Sequence, residues 1–163
     1  MKSPNSSMQL TRAADYGVRV MIQLSAMAGN GRVSLPDLAR STGAPQSFLS
    51  KVLQSLTRAG LISSRRGQTG GFHISQRGSA ASMREVIEAI DGAICLNLCL
   101  IAGRSCSRKA RCPAHPVWIE AQQAMMEVLS SASIASLAAP AAPAGFRAVQ
   151  APAKPAARYS LGS

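Results

Sequence analysis

All four cysteines of the 163-residue chain, Cys95, Cys99, Cys106 and Cys112, fall within 18 residues, and His115 follows the last of them. The spacing Cys99-x6-Cys106-x5-Cys112-x2-His115 offers three thiolates and one imidazole, with Cys95 four residues ahead as a further donor. Met1–Ser7 has no apolar core and does not read as a secretory signal, and no run of 18 uncharged apolar residues predicts a membrane span. The expected location is therefore the cytoplasm, where clustered cysteines bind metal more often than they form disulfides. Spacers this wide suit a loop wrapped around an iron–sulfur cluster better than paired zinc knuckles, which usually leave two to four residues between ligands. Zinc held by the same four side chains is the alternative. Arg104, Arg108, Lys109 and Arg111 lie between the cysteines, where they offset the negative charge of thiolates and of a cluster.

The charge of the rest of the chain points to a second chemistry. The net charge is +11. Residues 1–80 carry +8 of it, residues 81–139 are neutral, and residues 140–163 supply +3. Positive charge gathered in one half predicts a polyanionic partner, and aromatics at 4% argue against base- or sugar-stacking platforms. The segment from Gln46 to Arg58 shows how such a partner would be read. At about 100° per residue from Leu49, Phe48, Val52, Leu53 and Leu56 fall between roughly 260° and 40°, a core face. Ser47, Ser50, Lys51, Gln54 and Arg58 fall between roughly 100° and 200°, a strip of hydrogen-bonding groups and cations. A helix in a major groove needs such a face, because short polar side chains read base edges while Lys and Arg hold phosphates. Arg65 and Arg66 then open a basic, glycine-rich tip, Arg65–Gly71, between the strands Leu61–Ser64 and Phe72–Ser75. The residues expected to face duplex DNA are Gln46, Ser47, Ser50, Lys51, Gln54, Arg58, Arg65 and Arg66. His73, in the second strand, reads as structural.

The elements that must position these groups follow from caps and periodicity. Thr11 caps a helix carrying Ala14, Val18, Met21 and Ile22. Ser34 caps a second that stops at Gly43, and Pro45 opens the third at its first helical position. Ser82 and Glu85 form a capping box for a helix with Met83, Val86, Ile87 and Ile90 on one face. Pro116 starts a last long helix, whose Trp118, Ala121, Met125, Val128, Ala132 and Ala135 read as the seam of a dimer. The predicted fold is mainly α: a winged helix-turn-helix with a two-stranded wing, plus a long C-terminal dimerisation helix. Its parts are a disordered extension at 1–7, a DNA-binding domain at 8–80, a connecting helix at 81–94 and a cysteine-rich loop at 95–115. The dimerisation helix at 116–138 and a disordered Ala/Pro-rich tail at 139–163 complete it.

The stretch Met8-Gln9-Leu10-Thr11-Arg12-Ala13-Ala14-Asp15-Tyr16-Gly17-Val18-Arg19 resembles the opening of the Rrf2 family of winged-helix regulators. Ser47-Phe48-Leu49, Ala59-Gly60-Leu61-Ile62, Arg66-Gly67 and Gly70-Gly71-Phe72 resemble its recognition helix and wing, and Cys112-Pro113-Ala114-His115-Pro116-Val117-Trp118 the end of its cluster loop. The resemblance spans roughly residues 8–138. It implies a homodimeric, sequence-specific regulator on a palindromic operator, with a [2Fe-2S] or [4Fe-4S] cluster sensing iron, nitric oxide or redox state. By this resemblance Cys99, Cys106 and Cys112 are cluster ligands, His115 is the fourth, and Asp15 of the partner subunit or Cys95 are alternative fourth ligands. Ser47, Ser50 and Arg66 match positions facing DNA. A zinc-stabilised DNA-binding regulator without a sensing role is the competing expectation. No Ser/His/Asp set, phosphate loop or carboxylate pair outside the cysteine segment suggests an enzyme.

Overall fold

Side chains that cap helix ends set the order of elements in the computed structural model, which describes residues 10–29, 31–67, 70–101, 106–107 and 111–139. The extension at 1–7, the tail from 140 onward, Arg104, Arg108, Lys109 and positions 68–69 of the wing tip lie outside the described residues. Thr11 caps α1 (Arg12–Ala26), its hydroxyl accepting from the Ala14 N–H at 3.2 Å. Ser34 does the same for α2 (Leu35–Thr42) through the Asp37 N–H, and Gly43 ends it in the left-handed region at φ 71°. Pro45 is the cap residue of α3 (Gln46–Arg58), one position earlier than its expected place as first helical residue. The hairpin is β1 (Ile62–Arg65) paired antiparallel with β2 (Gly71–Ile74), Ile62 opposite Ile74 and Arg65 opposite Gly71. Each strand begins one residue away from where apolar patterning alone puts it, within the usual uncertainty of element ends.

A helix of five residues, α4 (Gln76–Ala80), follows the wing and is too short to show a periodicity. The capping box predicted at Ser82 and Glu85 opens α5 (Met83–Asp91), with both reciprocal hydrogen bonds present. A single 3₁₀ turn, Leu98–Leu100, lies in the cysteine segment. The expected helix over 116–138 is two helices, α6 (His115–Ser131) and α7 (Ile134–Ala138). Backbone pairing breaks it: the Met83 N–H donates to the Ala132 carbonyl and the Ile134 N–H to the Ala81 carbonyl, each at 2.8 Å. This short ladder ties the chain back to the head of α5 and fully buries Ile134, while the Ser133 hydroxyl caps α7.

The core sits around α1, which packs on α2, α3, α5 and α7. Ala14, Val20, Met21, Leu38, Leu49, Leu53, Leu56, Val86 and Ile87 are its most buried members. Gly17 permits the close crossing of α1 and α5, since a Cβ there would overlap Ile90 Cδ1. The segment before α2 joins the wing as a third edge: Val33 and Phe72 exchange backbone hydrogen bonds of 2.9 and 2.8 Å. Among the described residues no helix is long and apolar enough to cross a membrane.

Candidate DNA interface and cysteine segment

The polar strip of α3 stands on the surface. Gln46, Ser47, Lys51, Gln54 and Arg58 are exposed and Ser50 is half-buried, while Leu49, Val52, Leu53 and Leu56 are buried beneath them. Phe48 departs from the predicted core face. It is 38% exposed and meets Tyr16 of α1 edge-to-face, ring centroids 5.8 Å apart. It sits at the rim of the wheel's apolar arc, where α1 covers only one edge of the ring. Thr57 and Ala59 lead into Gly60, and the Arg77 guanidinium donates to the Ala59 carbonyl at 2.7 Å, fixing the end of α3 with a cation at its negative pole. Sequence patterning missed this contact, because Arg77 lies 18 residues away.

Arg65 and Arg66 are exposed on the wing. The wing holds its shape through Gly71, at φ 143°, whose missing Cβ would stand 2.7 Å from the Val33 carbonyl. His73 is half-buried in β2 opposite Ser63. The distribution of ion pairs separates two kinds of cation. Arg19 is paired with Asp15 at 3.0 Å and Arg40 with Asp37 at 3.1 Å. Among the described residues Lys51, Arg58, Arg65 and Arg66 have no such partner, as is also true of Arg12, Arg32, Arg77 and Arg111, so α3 and the wing present their charge outward undiminished.

The cysteine segment begins where α5 ends. Asp91 accepts a hydrogen bond from the Thr11 hydroxyl at 2.7 Å, tying the end of α5 to the cap of α1. Cys95 and Cys106 are exposed, Cys99 and Cys112 half-buried, and all four are free thiols. Cys99 lies in the 3₁₀ turn, and His115 is the first residue of α6, one position inside the helix. Its N–H donates to the Cys112 carbonyl at 3.1 Å. Its Nδ1 is buried with no hydrogen-bond partner among the described residues. An imidazole nitrogen left unsatisfied in this way costs about 1–3 kcal/mol, which a metal bond would offset. By type, then, three thiols and an orphaned imidazole fit a cluster. They are not gathered here: among the described residues no three His, Cys, Asp or Glu side chains come within reach of one metal ion. Asp15, the alternative ligand, is engaged by Arg19.

On α6 a face of half-buried residues, His115, Trp118, Gln122, Met125, Met126 and Leu129, turns toward α5 and the cysteine segment. An exposed face beside it carries Val117, Ala121, Ala124 and Val128 at spacings of four, three and four, with Val117 63% and Val128 47% exposed. Of the expected seam, Trp118 and Met125 are half-buried toward the protein's own domain, Ala121 and Val128 are exposed, and Ala132 and Ala135 lie beyond α6.

The model for the family Rrf2, "Iron-dependent Transcriptional regulator", matches residues 10–140. The chain is 33% identical over 123 residues to ORF2 of Azotobacter vinelandii, named for the HTH-type transcriptional regulators, covering 76% of this chain and 74% of that one. It is 31% identical over 125 residues to the HTH-type transcriptional regulator IscR of Photorhabdus laumondii, covering 76% and 75%. Among solved structures it resembles CymR, the global cysteine regulator of B. subtilis, with a TM-score of 0.66 at 25% identity, over 80% of this chain and 95% of that chain.

Proposed function

Since this chain belongs to the Rrf2 family of DNA-binding transcriptional regulators, we propose that its hold on duplex DNA is set by an iron–sulfur cluster carried on Cys99, Cys106, Cys112 and His115. The observation that carries this reading is the Nδ1 of His115, buried and without a hydrogen-bond partner among the described residues, three residues after Cys112 and at the head of α6. A thiolate-bound cluster supplies a centre that responds to oxidants, nitric oxide or iron supply. Bringing the donors together requires the segment between Cys99 and His115 to close, and that segment joins α5 to α6. The family description, "Iron-dependent Transcriptional regulator", supports an iron-linked reading of the same residues.

DNA is read by α3 and the wing. Ser47, Ser50 and Gln54 offer short polar groups to base edges, and Lys51, Arg58, Arg65 and Arg66 bind phosphates. Two copies meet through Val117, Ala121, Ala124 and Val128, a heptad-like row that would otherwise stay in water. A symmetric pair of recognition helices suits a palindromic operator with half-sites about 34 Å apart.

Anaerobic purification tests the cofactor. Brown protein with visible absorbance, iron and acid-labile sulfide supports the proposal. Colourless protein with stoichiometric zinc, lost together with fold on chelation, overturns it in favour of a structural metal.

A further inference from the structure

Arg32 is an exposed cation outside α3 and the hairpin, yet the fold sets it against the wing. It precedes Val33, and Val33 and Phe72 exchange both backbone hydrogen bonds, so its segment lies along β2 as a third strand. Successive residues of a strand point to opposite faces. Val33 and Phe72 turn inward with Ile62 and Ile74, against the core. Arg32, Ser63, Arg65 and His73 therefore share the outer face. Gly71 lies between the two arginines. Arg65 is its partner in register, and on its other side a Cβ added to the glycine would stand 3.3 Å from the Arg32 Cβ. The Arg32 side chain thus runs across Gly71, and its Nη1 donates to the Gly71 carbonyl at 3.4 Å.

We propose that Arg32 is a further DNA-contacting residue, which with Arg65 holds a backbone phosphate beside the wing. The inference rests on the reading of α3 and the wing given above. Two guanidinium groups brought to either side of one glycine repel each other unless an anion lies between them. Among the described residues no carboxylate pairs with either. Asp37, which borders a shallow hollow together with Arg32, is spent on Arg40 and on the Ser34 hydroxyl. Ser63 and His73, on the same face, bring no negative charge. The hydrogen bond to Gly71 is at the long end of the range and uses one of the five N–H donors of the guanidinium, leaving its planar fork open to a phosphate. Neighbouring strands lie about 4.8 Å apart, so the backbones of Arg32 and Arg65 stand roughly 9–10 Å apart across β2. Two long side chains close that distance on one phosphate.

The test follows binding of the full-length protein by fluorescence anisotropy between about 50 and 200 mM salt. One duplex is enriched from a random-sequence pool by the wild-type protein, and a second has an unrelated sequence. Arg32→Gln removes the charge and keeps an N–H donor, whereas Arg32→Lys keeps the charge and loses the fork. Arg32→Gln weakens binding to both duplexes by the same factor, because a phosphate contact carries no sequence information. It also flattens the slope of log K against log salt by about 1.8, two contacts per dimer, and so loses about tenfold less affinity than the wild type across this range. Arg32→Lys keeps the wild-type slope. Lys51→Ala is titrated alongside. A wild-type slope for Arg32→Gln with a flattened one for Lys51→Ala overturns the assignment of Arg32 and leaves the reading of α3 and the wing intact. Weaker binding by both Arg32 variants at an unchanged slope shows a residue that only braces the wing, which overturns it equally. Wild-type slopes in all three variants overturn the reading of α3 and the wing as well.

Discussion

Replacing Lys51 or Arg66 with alanine has a consequence that can be worked out from the ion pairs. Asp15 and Asp37 neutralise Arg19 and Arg40, whereas Lys51, Arg58, Arg65 and Arg66 stay unpaired among the described residues. The four on α3 and the wing make eight in a dimer, and counterion release from these alone gives a slope of log K against log salt near −7, about −0.9 per phosphate contact. Each single substitution removes two contacts from the dimer and flattens the slope by about 1.8. Between about 50 and 200 mM salt the variant therefore loses about tenfold less affinity than the wild type, starting from weaker binding at the low-salt end. Fluorescence anisotropy of a labelled operator at five or six salt concentrations measures both numbers. Arg40→Ala, whose cation is already offset by Asp37, serves as the control and leaves the slope near the wild-type value. Parallel salt lines for wild type, Lys51→Ala and Arg66→Ala would refute the assignment of α3 and the wing to the phosphate backbone.

Three further outcomes follow. The Glu85 carboxyl is held below the usual carboxylate range, chiefly by the Ser82 N–H, then by the Ser82 hydroxyl, with the charges of Arg77 and Arg84 assisting. Its stabilising contribution is complete above the unfolded pKa of about 4.3 and is lost as pH falls through the lower folded value, so Glu85→Gln shows a smaller loss of Tm below pH 4.3 than the wild type. Gly78→Ala places a methyl group against the Leu61 carbonyl and 3.1 Å from Met21 Cε, and denaturant unfolding should show a loss of about 1–3 kcal/mol or more. Val128→Glu sets a charge in the outward row of α6, and sedimentation should find monomer with weakened operator binding and an unchanged helical spectrum.

The winged helix-turn-helix was legible because each of its signals is local. Thr11, Ser34 and Ser82 cap where their hydroxyls predict, and the wheel of α3 separates buried Leu49, Val52, Leu53 and Leu56 from an exposed polar strip. Phe48 escaped because periodicity gives direction, while exposure depends on how far α1 reaches over the ring. The break at Ala132 escaped for a similar reason. Residues 116–138 keep a helical spacing, but two backbone hydrogen bonds to Ala81 and Met83, about 50 residues away in sequence, outweigh continuation of the helix. Trp118 and Met125 of the expected seam are half-buried toward α5 while its Ala121 and Val128 are exposed, a division that periodicity does not give, since α6 is apolar on two faces and only packing against α5 separates them. The contacts of Gln122, of Arg77 and between Asp91 and Thr11 are long-range hydrogen bonds with no periodic signature. A polar residue seven positions from His115 on an otherwise apolar face was the one available sign of the first.

The central claim is that ligation of the cysteine segment controls DNA binding. It is tested most directly by titrating one operator duplex, at fixed salt and without oxygen, with cluster-loaded protein, cluster-free protein and Cys112→Ala. The account predicts that the cluster-free protein and Cys112→Ala give one curve and the loaded protein another, displaced by about 5–150-fold. Three superimposed curves from folded dimers would contradict it.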